Sequence, residues 1–161
     1  MIQKFLLNLA LAAVFVALQG SASFIDIVLG LLIGLGVVSM LSNASGNGGY
    51  TRRVFGLVRF AFYFIYILIK ANLEVAWEVI TPGHHMQPRL LRYSVAGLTE
   101  VEITTLANAI TLTPGTLSAD INDAGDTLYI HCMYARERED AVAALDELRH
   151  WLLREVFDHD C

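Results

Sequence analysis

Residues 54–81 read VFGLVRFAFYFIYILIKANLEVAWEVIT, and how this stretch is read decides the fold. Up to Ile69 it is an apolar run interrupted only by Arg59, and it continues without a stop signal through Lys70 until Thr81-Pro82-Gly83. At 100° per residue, Arg59, Tyr63, Tyr66, Lys70, Glu74, Trp77 and Glu78 fall on one stripe, with Phe, Leu, Ile and Val on the remaining face. A helix striped in this way suits a membrane surface or the flank of a protein. A short tilted span through the bilayer is the alternative. Asn72 lies on its apolar side, where an unpaired amide is costly, which makes it a candidate contact to a partner or the donor of a bond within the chain.

On the N-terminal side the chain is almost wholly apolar. Residues 1–51 contain only Lys4 and Asp26 as charges, and residues 2–18 and 24–41 form two apolar runs, each about 26 Å long as a helix, close to the roughly 30 Å of bilayer hydrocarbon. The link at residues 19–23 is too short to reach anything but a neighbouring helix, so residues 1–42 should form an antiparallel transmembrane hairpin. Gly20-Ser21-Ala22-Ser23 imitates a signal-peptide end, but a second apolar run follows within a few residues. Lys4 before the hairpin and Arg52-Arg53 after it place both outer ends in the cytoplasm. With two crossings the C-terminal part stays on that side as well.

Gly30 and Gly34 stand four apart, with Gly36 beyond, and such spacing lets a second helix backbone approach, either within the hairpin or from a neighbouring protein. Asn8 and Asp26 are the strongly polar groups of these helices; Asp26 is close enough to a helix start to reach the interface, although intramembrane acids can mark ion paths. Residues 43–53 are expected to be a flexible cytoplasmic loop, its first half rich in Gly, Asn and Ser, and residues 54–82 the third membrane-associated helix.

Residues 83–161 read as a charged α+β domain. Residues 84–161 hold six Arg against thirteen Asp and Glu, an acidic surface that argues against nucleic-acid binding. Leu91, Tyr93 and Val95 alternate with polar residues as in a strand. Thr99 and Glu102 form a capping-box pattern ahead of Ile103, Leu106, Ala107 and Ile110 at helical spacing. Leu117, Ala119 and Ile121, a turn at residues 122–126, then Leu128, Ile130, Cys132 and Tyr134 make a hairpin, followed by a helix from about residue 137 to 157 with Ala141, Leu145, Leu148, Leu152 and Val156 inward. The order β-α-β-β-α is an incomplete ferredoxin-like unit, for which a right-handed crossover gives strand order 1-3-2 with both helices on one face. The fold class is thus membrane α plus α+β.

Chemistry-bearing groups do not converge. His84-His85-Met86 sits in a loop bounded by Gly and Pro, His131 and Cys132 point to opposite faces of their strand, and Cys132 and Cys161 have no metal-type spacing. No Gly-rich phosphate loop and no nucleophile elbow is present. The reading is no enzyme, no cofactor and no metal. The outward positions of the first domain helix, Thr104, Asn108 and Thr111, are polar but uncharged, which suits a contact surface as well as an ordinary solvated face. Thr113-Pro114-Gly115-Thr116 is a turn whose hydroxyls can satisfy freed backbone groups, and an exposed corner there could dock a partner.

Two segments carry a resemblance: Lys70-Ala71-Asn72-Leu73-Glu74-Val75-Ala76-Trp77, and Leu106-Ala107-Asn108-Ala109-Ile110-Thr111-Leu112-Thr113-Pro114-Gly115-Thr116. With Asp126-Thr127-Leu128-Tyr129-Ile130-His131 they resemble the E-type subunits of the Mrp-type (Mnh or Pha) multisubunit sodium/proton antiporters, over nearly the whole chain. The resemblance implies an accessory subunit of a bacterial inner-membrane complex that exchanges cytoplasmic sodium, or in some versions potassium, for protons. Its partners would be the other membrane subunits of that complex and the lipid bilayer. It supplies no catalytic residue, and the positions matching its motifs are Asn72, Ala76, Trp77, Leu106, Ala107, Asn108, Thr113, Pro114, Gly115 and Thr116. The competing reading from the residues alone is a self-associating membrane anchor that presents a small protein-binding domain on its open sheet edge.

Overall fold

A computed structural model describes residues 2–20, 22–44, 49–81, 86–135 and 137–158. The His84-His85 pair, Cys161 and the middle of the expected 43–53 loop lie outside these residues. The chain divides into two compact units, Met1–Gly56 and Leu57–Cys161.

The first unit is built on a hairpin of α1 (Ile2–Gln19) and α2 (Phe24–Ala44). At its open end Lys4 Nζ donates to Ser42 Oγ at 2.6 Å, which places the start of α1 beside the end of α2. At the turn, Ser23 and Asp26 cap α2 reciprocally: Asp26 N donates to Ser23 Oγ at 3.2 Å, and Ser23 N donates to Asp26 Oδ2 at 3.3 Å. The two charges of this region therefore stand at opposite ends of the hairpin. α3 (Gly49–Ile80) begins five residues before the expected start, and α2 continues to Ala44, so the helices encroach on the expected 43–53 loop from both sides. The reason is local: Ser42-Asn43-Ala44 and Tyr50-Thr51-Arg52-Arg53 contain no breaker, and polar residues suit helix ends where backbone groups still need water. α1, α2 and α3 are each long and apolar enough to cross a membrane.

In the second unit, β1 (Arg89–Ser94), α4 (Glu100–Leu112), β2 (Thr116–Ile121), β3 (Thr127–Cys132) and α5 (Arg138–Glu155) follow α3. The sheet has order β1-β3-β2 with both pairs antiparallel. Leu91 and Tyr93 of β1, Leu128, Ile130 and Cys132 of β3, Leu106 and Ile110 of α4, and Leu145, Leu148 and Leu152 of α5 form the core, with Val95 beyond β1 wholly buried. The Thr99/Glu102 capping box is complete and starts α4.

α3 contributes a further layer. Phe60, Tyr63, Phe64 and Ile67 pack against the same core. The apolar face read as continuous in the sequence is therefore divided, one part against the domain and the other exposed.

β2 departs from simple alternation. The register shifts between Ser118 and Asp120, so that Leu117 pairs with His131 on the outer face while Ile121 pairs with Leu128 on the inner one. Leu117, Ala119 and Ile121 do not share a face. A bulge adds one residue and flips the parity of everything after it.

Candidate functional site

The two segments that carry the resemblance meet in space. The Thr113–Thr116 turn and α3 residues Lys70, Ala71 and Glu74 line one cavity of about 240 Å³, with Tyr134 and α5 along its other walls. The turn forms because α4 runs into Pro114, which offers no N–H to continue the helix. Thr116 N donates to Thr113 O at 3.2 Å, and Gly115 at the third position has φ 90°, the type II pattern. Glycine is required there twice, since a Cβ would also stand 3.1 Å from the Tyr134 ring. Both threonine hydroxyls converge on the freed end of α4: Thr113 Oγ1 lies 2.7 Å and Thr116 Oγ1 2.6 Å from Ile110 O, with 2.5 Å between the hydroxyls. The turn is half-buried and bonded internally, so it is no exposed corner; what it faces is the chain's own third helix.

Lys70 and Glu74 form an i,i+4 ion pair at 3.9 Å on the rim of this cavity. Cys132 lines its floor, and burial pushes that thiol up from its ordinary pKa, which keeps it protonated and a poor nucleophile. His131 alternates to the other side of β3, where it stands in a row with Leu90 and Leu117. Among the described residues, no group of three His, Cys, Asp or Glu side chains could hold a metal ion.

Of the other residues singled out in the sequence, Gly30 and Gly34 serve the hairpin itself. A Cβ on Gly30 would lie 3.1 Å from Ala12 O, and one on Gly34 would fall on Asn8, whereas Gly36 has open space. The close approach that this spacing allows is made here between α1 and α2. Asn72 Nδ2 donates to Leu68 O at 2.7 Å, so its amide is bonded back to its own helix. Trp77 is exposed. Thr104 and Asn108 are exposed beside β2, but Thr111 is engaged, its hydroxyl accepting from Ser118 N at 3.2 Å. Ser118 Oγ donates to Ala107 O at 3.1 Å, and together these bonds fasten the edge strand to α4.

A second cluster was not read from the sequence. The Glu155 side chain is buried and accepts from Arg154 at 2.7 and 3.0 Å, while Arg59 of α3 approaches it to 3.6 Å. One turn along, Tyr63 stacks on Trp151 with ring centroids 4.6 Å apart, and Arg154 lies over the same indole. The signals were the isolation of Arg59 in an apolar run and the position of Glu155 three residues after Leu152, on the edge of the inward stripe of α5.

The family described as Na+/H+ ion antiporter subunit matches residues 8–154. The chain is similar to the E subunit of a Na(+)/H(+) antiporter of Alkalihalophilus pseudofirmus, 30% identical over 95% of this chain and 97% of the relative. It is 31% identical to the E1 subunit of a Na(+)/H(+) antiporter of Staphylococcus haemolyticus over 95% and 96%. Among solved structures, a chain in the Mrp complex from Dietzia sp. DQ12-45-1b is 26% identical and superposes with a TM-score of 0.50, covering 62% of this chain and 94% of that one.

Proposed function

The chain belongs to the Na+/H+ ion antiporter subunit family, and from that premise we propose that it is a non-catalytic subunit of a heteromeric cation/proton antiporter in the bacterial inner membrane, where it supports assembly and stability of the complex. In this reading α1 and α2 cross the bilayer with their outer ends in the cytoplasm, and the incomplete ferredoxin-like domain braces the complex from that side. The observation that carries it is the placement of charge in the hairpin. A conducting path needs polar groups at depth. Here Lys4 is tied to Ser42 at one end and Asp26 is engaged in a helix cap at the other, with Gln19 at the end of α1 beside the turn and, among the described residues, apolar and small side chains and Asn8 along the rest of the two helices. A hairpin of that kind packs and anchors.

The test separates assembly from transport. Deleting the chain should lower the yield of the intact complex and weaken sodium and alkali tolerance, whereas Asp26→Asn should leave antiport in membrane vesicles unchanged. Extraction of the tagged chain from its native membrane in mild detergent should bring other membrane subunits with it. A chain that runs alone, or antiport abolished by Asp26→Asn in a fully assembled complex, would overturn the proposal.

A further inference from the structure

We propose that α3 is a monotopic helix, lying in the cytoplasmic membrane interface with one stripe of side chains on lipid and the α/β domain carried on its other side. This rests on the reading of the chain as a membrane subunit and names what the exposed half of α3 touches. Val58, Phe62, Ile65, Ile69, Leu73 and Ile80 recur at steps of three, four and seven, which puts them along one line of the helix, and each is between 46% and 76% exposed. The stripe is about 33 Å long at 1.5 Å per residue and contains no charge. It is a continuous apolar surface of a size that soluble proteins rarely leave to water.

The opposite side of α3 rules out an ordinary span. Phe60 to Ile67 packs into the domain core and Glu74 still borders the cavity beneath, so the domain covers about 21 Å of the helix, some two-thirds of the hydrocarbon thickness. A crossing would require α3 to give up the Arg59–Glu155 contact and the Tyr63–Trp151 stack and to carry Arg59, Lys70 and Glu74 into lipid, each at a cost of kilocalories.

Lipid fits the stripe better than a partner helix because of what borders it. The polar side chain beside it, Asn72, is bonded back to its own helix through one amide hydrogen, on Leu68 O. Along one border, Tyr66, Lys70 and Trp77 follow at intervals of four and seven, and all three are exposed. Two amphipathic aromatics flanking a cation are the side chains that settle at headgroup level.

The depth of α3 can be read with the full chain in phosphatidylcholine vesicles brominated either near the glycerol backbone or near the bilayer centre. In a Trp77→Phe, Trp151→Phe background, Val58→Trp, Ile69→Trp and Ile80→Trp each supply a single emitter, and Phe62→Trp repeats the reading by exchanging one aromatic ring for another. The expected result is stronger quenching by the shallow bromines at all four positions. Deep bromines quenching Ile69→Trp most, with the two ends shallow, would mean that α3 spans. Quenching at none of the positions would mean that protein covers the stripe, a second copy if the chain runs as a dimer in detergent. Either outcome overturns the proposal. Co-purification with other membrane subunits is scored separately, so failure of the depth pattern alone leaves the antiporter reading standing.

Discussion

A carboxylate that is only 8% exposed has to be compensated, and at Glu155 the compensation is unequal. Arg154 is 41% exposed and Arg59 61%, so either arginine can turn to water if the acid is removed, while the acid has no such escape if an arginine is removed. Arg154→Met should therefore destabilise the detergent-solubilised chain by about 3 kcal/mol, the order expected when a buried charge loses its partner. Glu155→Gln should cost nearer ~1 kcal/mol. Thermal unfolding of the two variants side by side checks the order, and equal losses would mean that Glu155 is not held by Arg154.

Tyr93 gives a pH prediction of definite sign. Burial, then the hydrogen bond its hydroxyl donates to Asp146 at 2.7 Å, raises its pKa from 10 to about 12. The folded state thus keeps a proton that the unfolded state releases, so the contribution is complete below pH 10 and is lost as pH rises towards about 12. Ultraviolet titration should show phenolate absorbance with a midpoint near pH 12 that falls by one tyrosine in Tyr93→Phe. Residues such as these were legible only in part, because the sequence marks Arg59 as isolated and Tyr93 as inward but does not say which distant group each one meets.

Elements were more legible than contacts, and β2 shows where the reading stops. Alternation located the strand correctly, and the crossover argument gave its place at the sheet edge, because both depend on local pattern and chain handedness. The bulge at Ala119 was not visible, since it arises when the strand obeys two constraints at once. Ser118 is fastened to α4 through Ala107 O and the Thr111 hydroxyl, while Ile121 must still reach Leu128 on β3. Thr111→Val removes the acceptor for Ser118 N and should cost about 1 kcal/mol. The better readout is hydrogen exchange, in which the Ser118 amide should exchange faster while the β3 amides facing β1 keep their protection. An unchanged Ser118 amide would show that the strand is held by β3 alone. The glycine pair in α2 follows the same rule: the spacing announced a close approach, but only the fold identified Asn8 and Ala12 as the groups approached. Gly34→Leu should lower the yield of membrane-inserted chain, and Gly36→Leu, which faces open space, should leave it intact.

At the scale of the whole molecule, the boundary read from composition and the boundary set by packing fall in different places. Composition separates an apolar first half from a charged second half near residue 82, but the compact units divide at Gly56, so most of α3 belongs with the domain that follows it. The difference is physical: hydropathy records which solvent a side chain tolerates, whereas a core is defined by what touches what. A sheet of three strands with two helices on one face is a small body, and domains of this size have only about 5 kcal/mol of net stability to lose. Phe60, Tyr63, Phe64 and Ile67 each bury part of their surface against it, and at about 1–2 kcal/mol for partial burial of a large side chain their sum is about as large as that stability. A fragment of residues 86–161 should therefore lack a cooperative thermal transition and near-ultraviolet circular dichroism, although its capping box and strand pattern are intact. A fragment of residues 52–161 in mild detergent should show both. If the shorter piece melts cooperatively at the same temperature as the longer one, α3 is an appendage of the domain; if it does not, the helix that looks like a third span is the element on which the α/β domain is built.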